Sequence, residues 1–237
     1  MKKQIFLILT FTFLAIVQNN TTNAAIISSI PVAETKITPE EATVILYNEL
    51  KKKNPNLDTI RKTLDYGAKV NATDSGGNPL IWVTYIKHPT NIALIELLLL
   101  YGANPNSMED ESGETLLYDA CHTKNINLVD LLLQRNANPN IPNELGGLPL
   151  TLACNKNNPT LVKTLLDYGA NPIKSLMVLS KPFHTTRNKD NSRTIKSDLD
   201  YLSLEVLEIL RNKLSDRNPE AAPFCDLLDK EIQKKQK

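Results

Sequence analysis

Cysteine, histidine and long apolar runs are scarce in this 237-residue chain, and each shortage removes a class of explanation. Cys121, Cys154 and Cys225 are odd in number and too sparse to staple a small scaffold. There is no Cys-x-x-Cys pair, and His88, His122 and His184 fall into no His-Glu-x-x-His or Cys-His spacing, so no metal site is expected. No nucleophile turn is recognisable, and the chain reads as a non-enzyme without a cofactor. Charge of one sign is lacking too: 27 basic residues stand against 26 acidic ones, a net of +1. Phosphate affinity comes from many cations neutralised together on one face, so nucleic acid is not an expected partner. Beyond the amino terminus no uncharged apolar stretch approaches the ~20 residues of a spanning helix.

The amino terminus itself is patterned. Lys2 and Lys3 precede an apolar run from Ile5 to Val17, and polar residues then lead to Ala24 and Ala25. That order reads as a secretory signal peptide over 1–24, cleaved after Ala24 or nearby, followed by a flexible mature amino terminus over 25–37. A secreted or periplasmic location follows as an expectation, with no stable membrane association once the leader is removed. The alternative is a membrane anchor, because the box Thr22-Asn23-Ala24 is an imperfect cleavage site. Loss of Lys2 and Lys3 changes the balance to 25 basic against 26 acidic residues.

The strongest signal is a period. The segments Leu64-Asp65-Tyr66-Gly67-Ala68, Leu99-Leu100-Tyr101-Gly102-Ala103, Leu132-Leu133-Gln134-Arg135-Asn136-Ala137 and Leu166-Asp167-Tyr168-Gly169-Ala170 share one ending. With Gly67, Gly102, Asn136 and Gly169 taken as equivalent, the steps are 35, 34 and 33 residues. A second landmark recurs in step: Asn78-Pro79-Leu80, Thr115-Leu116-Leu117 and Leu148-Pro149-Leu150 each follow a turn, with Gly76, Gly113 and Gly146 in matching places. From Gly76 to Gly102 is 26 residues against 23 from Gly113 to Asn136, which puts about three extra residues near Pro89-Thr90.

These segments resemble ankyrin repeats. Gly113-Glu114-Thr115-Leu116-Leu117-Tyr118-Asp119-Ala120 stands in the family's Gly-x-Thr-Pro-Leu-His-x-Ala register, and Gly146 to Ala153 repeats it with Pro149 kept. Val129-Asp130-Leu131-Leu132-Leu133 and Val162-Lys163-Thr164-Leu165-Leu166 match the second-helix pattern, and Asn104-Pro105-Asn106 and Asn138-Pro139-Asn140 the polar turn leading out. The fold implied is an all-α ankyrin-repeat solenoid of helix-turn-helix units joined by β-hairpin-like loops, about four repeats over 38–173, the first a cap. Tyr118 and Thr151 replace the family histidine, which removes the loop-bracing bonds that residue normally supplies.

Individual residues fit that geometry. The residue after each second helix must accept the left-handed conformation, where Gly has no Cβ penalty and Asn is the best ordinary substitute. The alanine after it, Ala68, Ala103, Ala137 or Ala170, is expected to face a neighbouring repeat. Pro79 and Pro149 suit a first helical turn, and Thr115 suits an N-cap. Cys121 and Cys154 follow Ala120 and Ala153 in one small inward-facing position and read as packed thiols, while Cys225 is undecided. Pro39 to Asn54 reads as a helix capped by Thr38 and Glu41, with an apolar stripe of Val44, Tyr47 and Leu50 widened by Ile45 and Leu46, and with Asn48 and Glu49 on the polar side. Residues 174–237 read as an exposed loop from Met177 to Ser197 and then a helical carboxy-terminal cap, with a separate recruitment helix as the alternative.

The resemblance implies protein partners that contact loop tips and the inner face of first helices. The candidate tips are Asp74, Ser75, Glu109, Asp110, Glu111, Ser112, Asn143, Glu144 and Leu145, with Trp82, Tyr85, Tyr118 and Asp119 beside them. Trp82 precedes Val83, taken as the repeat alanine's equivalent, and suits inward packing as well as display. The function expected is an exported protein-interaction scaffold without catalysis. The alternative is an envelope-associated structural spacer with no specific soluble ligand.

Overall fold

A computed structural model describes residues 37–180, 182–187, 193–214 and 220–237, with only the backbone described for 182–187 and 193–196. The leader read over 1–24 and the flexible stretch read over 25–37 lie outside the described residues, Ile37 excepted. The fold is helical. In chain order α1 is Pro39–Leu50, α2 Leu57–Asp65, α3 Leu80–Lys87, α4 Ile92–Leu100, α5 Leu116–His122, α6 Ile126–Gln134, α7 Pro149–Asn155, α8 Pro159–Asp167 and α9 Pro172–Leu179. A short antiparallel pair, β1 Pro182–Arg187 and β2 Arg193–Ser197, then precedes α10 Leu204–Lys213 and α11 Ala222–Gln236. None of the described helices is long and apolar enough to cross a membrane. The chain divides into two compact units, Met1–Asp74 with Val83–Ala103, and Ser75–Trp82 with Asn104–Lys237.

Each second helix stops by the same device. The N–H groups of Gly67, Gly102, Asn136 and Gly169 bond back three residues at 2.9, 3.1, 3.1 and 3.1 Å. Those of Ala68, Ala103, Ala137 and Ala170 bond back five residues at 3.1, 2.9, 2.9 and 2.9 Å. This pair of bonds is a Schellman cap, and it needs a left-handed residue at its hinge. The hinges have φ of 84, 85, 64 and 85°, Asn136 conforming with the glycines. The alanine after each hinge is buried.

The first helices of the third and fourth repeats end in the same way without glycine. Lys124 and Asn157 sit at φ 57 and 47°, and Asn125 and Asn158 donate to Ala120 and Ala153 at 2.9 and 3.2 Å. A lysine in this conformation suffers a Cβ clash worth roughly 1–2 kcal/mol, part of which glycine would return as chain entropy. Lys124→Gly is therefore expected to raise stability by about 0.5–1 kcal/mol in urea unfolding, with Gly102→Ala losing about as much. A Lys124→Gly midpoint below that of the parent would contradict the strain.

Asparagines then tie successive repeats together, a role their place in the polar turns did not reveal. In the first unit Asn71 Nδ2 donates to Gly102 O at 3.0 Å. In the second, Asn106 Oδ1 accepts from Asn138 N at 2.7 Å. Asn140 does both, donating to Gly169 O at 2.9 Å and accepting from Asn171 N at 2.7 Å. Each side chain satisfies backbone groups that the turn leaves without helical partners.

The first unit corrects two expectations. The capping box forms, with Glu41 N donating to Thr38 Oγ1 at 3.2 Å and Thr38 N to Glu41 Oε2 at 2.8 Å. The helix nevertheless ends at Leu50, and its buried stripe is Ala42, Ile45, Leu46, Glu49 and Leu50, while Val44 is exposed and Tyr47 only half-buried beneath Lys51. Glu49 can face inward because its carboxylate accepts from Asn56 N at 2.8 Å and from Lys52 Nζ at 2.6 Å, which closes the turn into α2.

Repeat two shifts by one residue. Gly77, Gly113 and Gly146 all have positive φ, at 82, 62 and 77°, and each lies three residues before its helix, so Gly77 rather than Gly76 is the equivalent glycine. Trp82 therefore matches Tyr118 and Thr151, and Thr84 matches Ala120 and Ala153; all of the last three are fully buried. The excess over the third repeat is two residues, not three: α3 has 8 residues against 7 in α5, and the link to the second helix is 88–91 against 123–125.

In the second unit α5 packs on α6 and α7, α7 on α8 and α9, and α10 on α8 and α11. Leu202, Val206, Leu207, Leu210, Cys225 and Leu228 are buried in this carboxy-terminal part. The stretch read as loop from Met177 to Ser197 instead holds the end of α9 and the β1–β2 pair, whose short polar strands carry too little apolar alternation to read as strands.

Candidate functional site

Three loop tips of the second unit, 75–78, 108–115 and 142–147, lie side by side. Within the middle tip Met108 and Thr115 form an isolated antiparallel bridge, and Glu109 N donates to Glu114 O at 3.0 Å. Between tips, Asp110 N donates to Asn78 Oδ1 at 3.3 Å and Glu144 N to Ser112 O at 3.2 Å. Side chains press on bare glycines across the same seams. A Cβ on Gly77 would come within 3.1 Å of the Asp110 carboxyl, and one on Gly113 within 2.7 Å of Glu144 Cγ.

The tips are braced from below by the residues that replace the family histidine. Trp82 Nε1 donates to Ser107 O at 3.2 Å. One repeat later the Tyr118 hydroxyl pairs with the Asn143 side chain and lies 3.0 Å from where a Cβ of Gly147 would be. Gly147 is thus required by close approach. Asn143 Oδ1 accepts from Gly147 N at 2.7 Å and Asn143 Nδ2 reaches Glu114 at 3.4 Å. Thr151, buried in the same place, is too short to reach a loop, and its Oγ1 has no partner among the described residues.

This arrangement redistributes the candidates. Trp82 and Tyr85 are 5% and 7% exposed, so both are core residues and neither is displayed; the one-residue shift in repeat two turns Trp82 inward as a brace. Glu109 is occupied within its own tip, its Oε2 accepting from Ser112 N at 2.8 Å and Ser112 Oγ at 2.6 Å, and these bonds hold its carboxyl below the usual range. Asp74 is half-buried and belongs to the first unit. Ser75, Asp110, Glu111, Glu144 and Leu145 are exposed, and Ser112, Tyr118, Asp119 and Asn143 are half-buried. Leu145 is 94% exposed and Met108, which the sequence did not single out, is 50% exposed. Burial, and secondarily the charge of Glu114, pushes the Tyr118 hydroxyl up.

Cys121 and Cys154 are fully buried and free, and burial pushes each thiol up to about 12, with Asp119 adding to the shift at Cys121. A thiol at that value supplies almost no thiolate near neutral pH. The folded values lie above the unfolded ~8.5, so the thiols' contribution is full below that pH and is lost as pH rises towards 12. Stability is expected to fall steeply between about pH 9 and 12, and Cys121→Ala/Cys154→Ala to fall less steeply relative to its own neutral value. Parallel alkaline limbs in urea titrations would contradict this.

A protein-family model described as "Ankyrin repeats (3 copies)" matches residues 48–143 and, overlapping, 86–175, which together exceed half of the 237-residue chain. No curated protein matches the chain.

Proposed function

The chain belongs to the ankyrin-repeat family, and from that premise we propose that it is an exported, non-catalytic scaffold that binds another protein along the loop tips of its second unit. Ankyrin repeats mediate protein–protein interactions, and a repeat stack keeps its internal contacts constant while outward residues vary. The observation that carries the reading is the contrast within each tip. The backbone of 108–115 is tied to the tip on either side and that of 142–147 to 108–115, yet Asp110, Glu111, Glu144 and Leu145 are exposed without any bond that the fold needs from their side chains. Rigid loops with outward side chains lose little entropy on binding.

Export rests on the order of basic, apolar and small residues over 1–24. Mass measurement of the protein recovered from the secreted or periplasmic fraction is expected to show loss of that segment, and an intact Met1 would refute cleavage. Crosslinking in the native compartment, followed by mass spectrometry, tests the scaffold itself. It is expected to join tip residues to one protein reproducibly and saturably. Crosslinks scattered over many proteins, or none, would favour a spacer and sink the scaffold.

A further inference from the structure

The tips of the second unit have a one-sided chemistry. Neither Asn104–Thr123 nor Asn136–Asn155 contains a lysine or arginine, while Glu109, Asp110, Glu111, Glu114, Asp119 and Glu144 are all acidic. Among the described residues no lysine or arginine pairs with Asp110, Glu111 or Glu144. These carboxylates do not converge: among the described residues no group of His, Cys, Asp and Glu could hold a metal ion. They are spread over two adjoining tips, 108–115 and 142–147, and the same tips carry exposed apolar side chains. Leu145, 94% exposed, follows Glu144, and Met108, 50% exposed, lies on the adjacent tip. Seams at Gly77 and Gly113 fix both tips, so Leu145 is presented to water by a rigid support.

An apolar anchor rimmed by uncompensated charge is the arrangement that buries well against the opposite chemistry. We infer that the occupant of this edge is a lysine- or arginine-rich amphipathic segment of the partner protein, whose apolar face covers Leu145 and Met108 while its cations meet Asp110, Glu111 and Glu144. This rests on the scaffold reading and specifies its partner's chemistry. Opposite charge at the rim speeds encounter and is screened by salt, whereas the anchor sets the dissociation rate and is not.

The test uses the full chain and three synthetic probes: an amphipathic lysine–leucine peptide, an all-lysine peptide and a glutamate–leucine peptide. Titrations at about 0.05 M and about 1 M salt vary the screening length. The lysine–leucine peptide is expected to bind at least about tenfold tighter than either of the others at low salt. Leu145→Ser is expected to weaken it about tenfold at both salt concentrations, and Asp110→Asn/Glu111→Gln/Glu144→Gln about tenfold at low salt only. Both variants alter exposed side chains, and unchanged melting curves confirm that they fold. Equal binding of lysine–leucine and glutamate–leucine peptides, or parent-like binding by both variants, would overturn the inference. Native crosslinks to a single protein through another face would overturn it too, together with the assignment to the tips, while leaving protein binding itself standing.

Discussion

Replacing Trp82 by alanine is expected to cost about 3–5 kcal/mol of folding stability, the usual range for deleting a large buried aromatic. Trp82 is 5% exposed, and its indole N–H is committed to Ser107 O at 3.2 Å. Deleting the ring opens a cavity and also removes the donor for the Ser107 carbonyl. Trp82→Phe separates these effects, since it keeps most of the apolar volume while losing the bond to Ser107 O, which is worth about 1 kcal/mol. Urea unfolding of the two variants measures both. A Trp82→Ala protein as stable as the parent would return the indole to the display surface.

Ala137→Asp is expected to cost about 3 kcal/mol or more, because it buries a carboxylate at a position built for a methyl group. Ala137 is 6% exposed and its N–H completes the cap at Leu132 O, so the side chain cannot swing out without breaking that bond. For a chain of this size the change corresponds to a drop of roughly 10 °C in thermal midpoint. The neighbouring Asn138→Asp is the control. Asn138 is exposed and its Oδ1 only accepts, from Asn140 N at 3.0 Å, a role that aspartate retains. Equal midpoints for the two variants would remove Ala137 from the packed core.

The repeat was legible because it is written in backbone requirements. A left-handed hinge admits Gly or Asn and little else, so Gly67, Gly102, Asn136 and Gly169 could be aligned by residue type alone, and the following alanines came with them. The paired thiols were legible for the same reason, since Cys121 and Cys154 share a buried register. Side-chain direction was not. In Gly76-Gly77 both residues tolerate the hinge, and only the φ of 82° at Gly77 decides between them. The resulting slip of one residue put Trp82 in the variable position instead of the bracing one.

Glu49 shows a different limit. A carboxylate counts as polar in any periodicity, yet partners contributed by Asn56 and Lys52 from outside the helix reverse its preference. The braces failed to be read because their chemistry changed with the residue. Trp82 and Tyr118 perform with an indole and a phenol what the family does with imidazole, and Thr151 cannot. At the tips, Leu145 was legible as exposed, but the occupation of Glu109 by Ser112 depends on a loop conformation that residue types do not encode.

The central claim is that a partner protein is held by this edge and not by the helical faces. Photo-crosslinking side chains introduced in turn at Leu145 and at Lys163, both exposed, the latter on α8, test it in the native compartment. A single saturable adduct from position 145, with none from position 163, is the result expected. An adduct from 163 alone, or the same mixture from both, would contradict the assignment of the edge.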